Sequence, residues 1–208
     1  MIPEISNKNI NIKSIAEKAL ANERLLSELL DGLASKNETL RYNCSKVILF
    51  ISEERGEVLY PKWDFFVTLL DSDNTYWKMS GLQIIASLTR VDADKKFDDI
   101  FDKYYHLLGY KGTVVAAHIA ANSGKIASAR PDLQPRITDK LLSIDKIYAG
   151  KQIDLVKGYI IEAFAVYFEE AENRNKIIEF ARNQLNSGSP RTRKQAEHFL
   201  SKLDKEQP

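Results

Sequence analysis

The feature that most constrains this chain is an apolar stripe written several times. "LRYNCSKVILFI", Leu40 to Ile51, and "WKMSGLQIIASL", Trp77 to Leu88, share few residues, yet their apolar positions coincide. Leu40, Cys44, Val47, Ile48 and Ile51 stand against Trp77, Gly81, Ile84, Ile85 and Leu88. Relative positions 0, +4, +7, +8 and +11 lie along one side of a 3.6-residue helix. The template fits five times, starting at Leu40, Trp77, Ala116, Val156 and Thr192, so successive starts are 37, 39, 40 and 36 residues apart. The +4 column reads Cys44, Gly81, Ala120, Ile160 and Ala196; the +8 column reads Ile48, Ile85, Gly124, Phe164 and Leu200. The third copy carries unusually small side chains.

Each copy follows another apolar segment. The first holds Leu25, Leu26, Leu29, Leu30 and Leu33, and the next Phe65, Phe66, Leu69 and Leu70. Then come Phe97, Ile100, Phe101, Tyr104 and Leu108; Ile137, Leu141 and Ile144; and Ile177, Ile178, Ala181 and Leu185. The repeating unit is therefore a two-helix hairpin. A lone hairpin cannot cover its apolar stripe, whereas stacked hairpins can. Alternating strand patterns bounded by Asn-Gly or Asp-Gly turns are absent. The expectation is an all-α fold, a right-handed α-α superhelix (α-solenoid) of about five hairpins.

Local signals refine the boundaries. Ser35 and Glu38 have the spacing of a capping box, and Ser189 followed by Pro190 reads as an N-cap and first helical position. "NIKSIAEKAL", Asn11 to Leu20, suits a short amphipathic helix with Ile12, Ile15, Ala16 and Ala19 on one side. Residues 1–21 are thus read as an N-terminal capping segment and 22–208 as a single repeat domain.

The column after each stripe start reads Arg41, Lys78, Ala117, Lys157 and Arg193, basic at all but Ala117. "SPRTRKQAEHFLSKL", Ser189 to Leu203, resembles the second helix of a HEAT repeat, and "LLDSDNTYWKMSGLQII", Leu69 to Ile85, is similar in its acidic linker and aromatic-basic pair. The chain from Asn22 to Leu203 therefore resembles HEAT-repeat and armadillo-type proteins. It departs from their pattern at Trp77, Thr192 and Ala117. The resemblance implies that the basic column pairs with linker carboxylates, with Asp71 and Asp73 serving Lys78 or a neighbouring repeat. It also implies a concave surface, lined by the second helices, that holds a partner.

The remaining patterns bound the chemistry. Net charge is +1, which neither grips a phosphate backbone nor marks an acidic tail. The lone Cys44 lies on the stripe and reads as a packed thiol. His106, His118 and His198 show no metal-ligand spacing, and no phosphate-binding glycine loop or nucleophile elbow is present. The carboxylates Asp92, Asp94, Asp98, Asp99 and Asp102 read as a solvated helix face. Phe65, Phe66 and Trp77 read as core, while Tyr60, Trp63 and Tyr76 are candidates for partly exposed contacts. From Arg174 to Pro208 eight Lys or Arg face four acids, which reads as a solvated end cap. The amino-terminal residues show no signal-peptide pattern, and no apolar run approaches the roughly 20 residues of a membrane span. A cytoplasmic protein without cofactor, metal or catalytic residues is expected.

On the second helices, the +3 and +6 columns are mostly polar. They supply the expected partner-binding residues: Asn43, Lys46, Ser80, Gln83, Asn122, Tyr159, Glu162, Gln195 and His198. Amides, hydroxyls and mixed charges suit hydrogen bonding to a protein or peptide. The reading is a non-catalytic scaffold. The alternatives by analogy are a HEAT-like DNA-binding protein or DNA glycosylase, for which the +6 column lacks repeated bases, and a HEAT-like lyase or chaperone acting on a cofactor-bearing partner.

Overall fold

The structure, a computed structural model, describes residues 3–206. Readings that fall on Met1, Ile2, Gln207 and Pro208, or on the side chains of Pro3, Asp204, Lys205 and Glu206, lie outside the described residues. Every regular element among the described residues is helical. The chain forms two compact units, one reaching to Lys96 and the other starting at Phe97.

The first unit contains α1 (Ile12–Leu20), α2 (Glu23–Gly32), α3 (Glu38–Glu54), the short α4 (Gly56–Leu59), α5 (Trp63–Leu69) and α6 (Thr75–Leu88). Helix α3 packs against α1, α2 and α6, and α5 packs against α6. Leu25, Leu26, Leu29, Leu30 and Leu33 are buried, as are Cys44, Val47, Ile48 and Ile51 opposite them. Four asparagines start the longer helices. Asn11, Asn22, Asn37 and Asn74 accept from the backbone N–H groups of Ser14, Leu25, Leu40 and Tyr76. Such a cap contributes about 1 kcal/mol by satisfying a donor the helix leaves free. The capping box expected at Ser35 and Glu38 is corrected: Asn37 is the cap, and Ser35 Oγ accepts from the Asn37 N–H at 3.1 Å. One period later Ser72 Oγ accepts from the Asn74 N–H at the same distance.

The second unit contains α7 (Lys96–His106), α8 (Thr113–Ala129), α9 (Gln134–Leu142), the short α10 (Ile144–Ile147), α11 (Ile153–Tyr167), α12 (Arg174–Asn183) and α13 (Pro190–Glu206). Helix α11 packs on α8 and on α13, while α9 meets α8 and α12. Ser189 Oγ accepts from the Thr192 N–H, capping α13 where the sequence places the cap. The small side chains of the third stripe have a steric reason. A Cβ on Gly124 would stand 3.2 Å from both Cα and the carbonyl oxygen of Ala163 on α11, so these two helices meet backbone to backbone. Phe97, Phe101, Tyr104 and Tyr105 on α7 are buried, and the Tyr105 hydroxyl donates to Ser123 Oγ on α8. Large rings on α7 thus sit opposite small residues on α8, conserving packed volume.

The stripes behave as one set. Their positions are buried throughout, except for Leu40, Trp77, Leu200 and Leu203, which are half-buried. Two aromatic assignments are corrected. Trp63 is core at 2% exposure, because it opens α5 on the side facing the unit interior, whereas Phe65 is 37% exposed.

The basic column returns to the backbone. Arg41 donates to the Ser35 carbonyl at 2.8 Å, Lys78 to the Leu70 carbonyl at 2.5 Å and Arg193 to the Ser187 carbonyl at 2.6 Å. Each base satisfies a carbonyl of the turn that leads into its own helix. Lys157 instead pairs with the Asp145 carboxylate at 2.7 Å.

Replacing Gly124 by Leu is expected to push α8 from α11 and to lower unfolding free energy by about 1–3 kcal/mol, as overpacking does. Chemical denaturation monitored by circular dichroism measures this; an unchanged midpoint would contradict the close approach.

Candidate functional site

Two solvent-facing regions on the second helices collect the candidate residues, one in each unit. In the first unit, α3 and α6 present Tyr42 and Tyr76, exposed by 58% and 62%. The Lys46 ammonium lies 4.3 Å from the Tyr42 ring centre and the Arg41 guanidinium 5.2 Å from the Tyr76 ring centre. Ser45 and Ser80 share a 2.7 Å hydroxyl–hydroxyl bond between these helices, and Ser80 also donates to the Tyr76 carbonyl. Cations over exposed rings hold them in place at little cost and contribute about 0.5–1 kcal/mol each. The result is a pre-ordered aromatic surface with a positive fringe.

In the second unit, α8 and α11 enclose an open groove of about 220 Å³. Val114, Ala117, His118 and Ala121 line it from α8, and Leu155 and Tyr159 from α11, with Thr113 and Gln152 at their N-terminal ends. Arg191 on α13 borders this region. It donates to the Tyr159 hydroxyl at 2.9 Å and to Glu162 Oε1 at 2.7 Å, and its guanidinium lies 4.1 Å from the Tyr159 ring centre. Burial pushes the His118 imidazole below its ordinary pKa of 6.5, favouring the neutral ring.

The sequence-derived residues divide between these regions and the interior. Lys46 and His198 are exposed, and Gln83, Tyr159, Glu162 and Gln195 are half-buried. Asn43 is 2% exposed and donates to the Ile5 and Asn7 carbonyls, so it fastens the N-terminal segment to α3. Ser80 is buried in the α3–α6 contact, and Asn122 is buried with its amide beside the Tyr104 hydroxyl. The +3 column, which holds Asn43, Ser80 and Ile119, therefore turns inward in three copies. Tyr42, His118 and Arg191 lie in other columns and were missed. Their aromatic or basic side chains at −1 and +2 are the only signal the sequence offers.

The remaining candidates are structural. Asp92 accepts from the Tyr60 hydroxyl and the Lys96 N–H, Asp98 pairs with Arg130, and Asp102 pairs with Lys140. Cys44 is fully buried, and desolvation pushes its thiol up to about 11, which removes the thiolate needed for nucleophilic attack. No group of three His, Cys, Asp or Glu suited to a metal ion occurs among the described residues. No described helix is long and apolar enough to cross a membrane. No family model, curated protein or solved structure matches the chain.

Two outcomes follow. Cys44 is expected to resist thiol reagents in the native protein and to react promptly in denaturant; rapid native labelling would contradict its burial. His118 binds a proton more readily in the unfolded chain than in the folded one. Its contribution to stability is therefore complete above about pH 6.5 and erodes as pH falls below that value. His118→Gln is expected to flatten the acid side of a melting-temperature profile.

Proposed function

We propose that this protein is a non-catalytic scaffold of stacked helical hairpins, HEAT-like in arrangement, that binds a protein or peptide along the exposed faces of its second helices. The observation that carries the reading is the pair of exposed tyrosines on α3 and α6, each with a cation over its ring. A large ring left in water adds nothing to the buried core. Held rigidly, it binds at small entropic cost, which is why Tyr and Arg are enriched among residues that dominate interface energy. The five stripes of the sequence fit this use, since repeat arrays bind through extended surfaces assembled from many modest contacts.

The test is affinity capture followed by mass spectrometry, with the wild-type chain and a Tyr42→Ser, Tyr76→Ser variant. Both side chains are exposed, so the variant is expected to fold with an unchanged circular dichroism spectrum. Loss of the captured partner supports the reading. An identical partner set for both proteins would sink it.

A further inference from the structure

The groove between α8 and α11 differs from the tyrosine surface in being apolar within and positive at one end. Its walls are Val114, Ala117, Ala121 and Leu155, with His118 and Tyr159 supplying the polar edges. Val114 and Ala121 are exposed, so an apolar recess is left open to water. Its volume of about 220 Å³ is below the roughly 300–1,000 Å³ of sites that enclose a whole small molecule. It matches one large side chain delivered by a longer segment.

Two acids of α11 are turned toward α13: Asp154 Oδ2 accepts from the Gly188 N–H at 2.8 Å, and Glu162 is paired with Arg191. Asp154 lies in the first turn of α11, where that N–H engages its carboxylate; at the same end Lys111 and Lys151 are exposed in the segments just before Thr113 and Gln152, the lining residues at the starts of α8 and α11. Neither helix has a side-chain cap, so both present amide N–H groups there. This end attracts negative charge.

We propose that the groove receives a single large apolar side chain, Leu, Met or Phe, from an acidic peptide segment whose carboxylates face Lys111 and Lys151. This rests on the peptide-binding reading above and assigns it a ligand chemistry.

Fluorescence anisotropy with the full chain tests it, using three labelled peptide pools. One has Leu, Met or Phe between Asp and Glu residues, the second has the same apolar residues between Lys and Arg, and the third has Ser between Asp and Glu. The first pool is expected to bind about tenfold more tightly than either other pool, with the advantage over the basic pool shrinking in high salt. Ala121→Trp, which fills the groove from an exposed position, and the Lys111→Glu, Lys151→Glu pair are each expected to abolish that preference. Equal binding of the three pools, no binding of any, or full retention by Ala121→Trp would overturn the proposal. Acidic-apolar peptides that bind Ala121→Trp normally but not the Tyr42→Ser, Tyr76→Ser variant would remove the groove while sparing the broader scaffold reading. Failure of the capture experiment as well would remove both.

Discussion

Everything in these two units depends on burying the stripe of one second helix against its neighbours. Each Leu, Ile or Phe taken fully out of water contributes roughly 1.5–3 kcal/mol, whereas an exposed ion pair contributes up to about 1 kcal/mol. Ion pairs such as Lys140 with Asp102 therefore adjust an arrangement that the apolar contacts have already chosen. Helix α11 makes the dependence visible. Its buried residues serve the α8 and α13 contacts at once. Close approach enforces the choice of small residues, as Gly124 against Ala163 and Gly158 against Thr192 demonstrate.

A second regularity concerns the joints between helices. Before α3, α6 and α13, a serine hydroxyl accepts from the N–H two residues on, that residue caps the helix, and a base four residues later binds a carbonyl of the preceding turn. Ser35-Asn37-Arg41, Ser72-Asn74-Lys78 and Ser187-Ser189-Arg193 are the three instances. Each joint satisfies donors and acceptors that a helix end would otherwise leave to water. The joints before α8 and α11 lack this device, and those are the helices that border the groove. Backbone donors unused in folding remain available at a surface that also exposes apolar side chains.

The two candidate surfaces use different physics. On α3 and α6, rings are pre-positioned by cations and offer area. Between α8 and α11, a recess offers shape with a charge gradient at its mouth. Neither contains an acid–base pair in a dry pocket, and the strongly shifted groups support this division. Tyr105 and Tyr167 are displaced upward by burial, and Arg130 is held charged by Asp132 and Asp98, so each shift traces to packing or a structural pair.

Helix content and the buried stripe were legible in the chain because a 3.6-residue apolar pattern permits only one side of a helix to face inward. The cap at Ser189 and the amphipathic helix starting at Ile12 were legible for the same local reason. Which polar column meets solvent was not. Asn43, Ser80 and Asn122 look available in sequence, yet a neighbouring element covers each of them. Trp63 and Phe65 exchange their expected roles because α5 is rotated by its fit against α6. Sequence alone determined that hairpins of this kind must bury one face. Tertiary packing decided how far each helix turns about its axis, and that rotation, set by volumes on the opposing helix, determines which residues remain exposed to solvent.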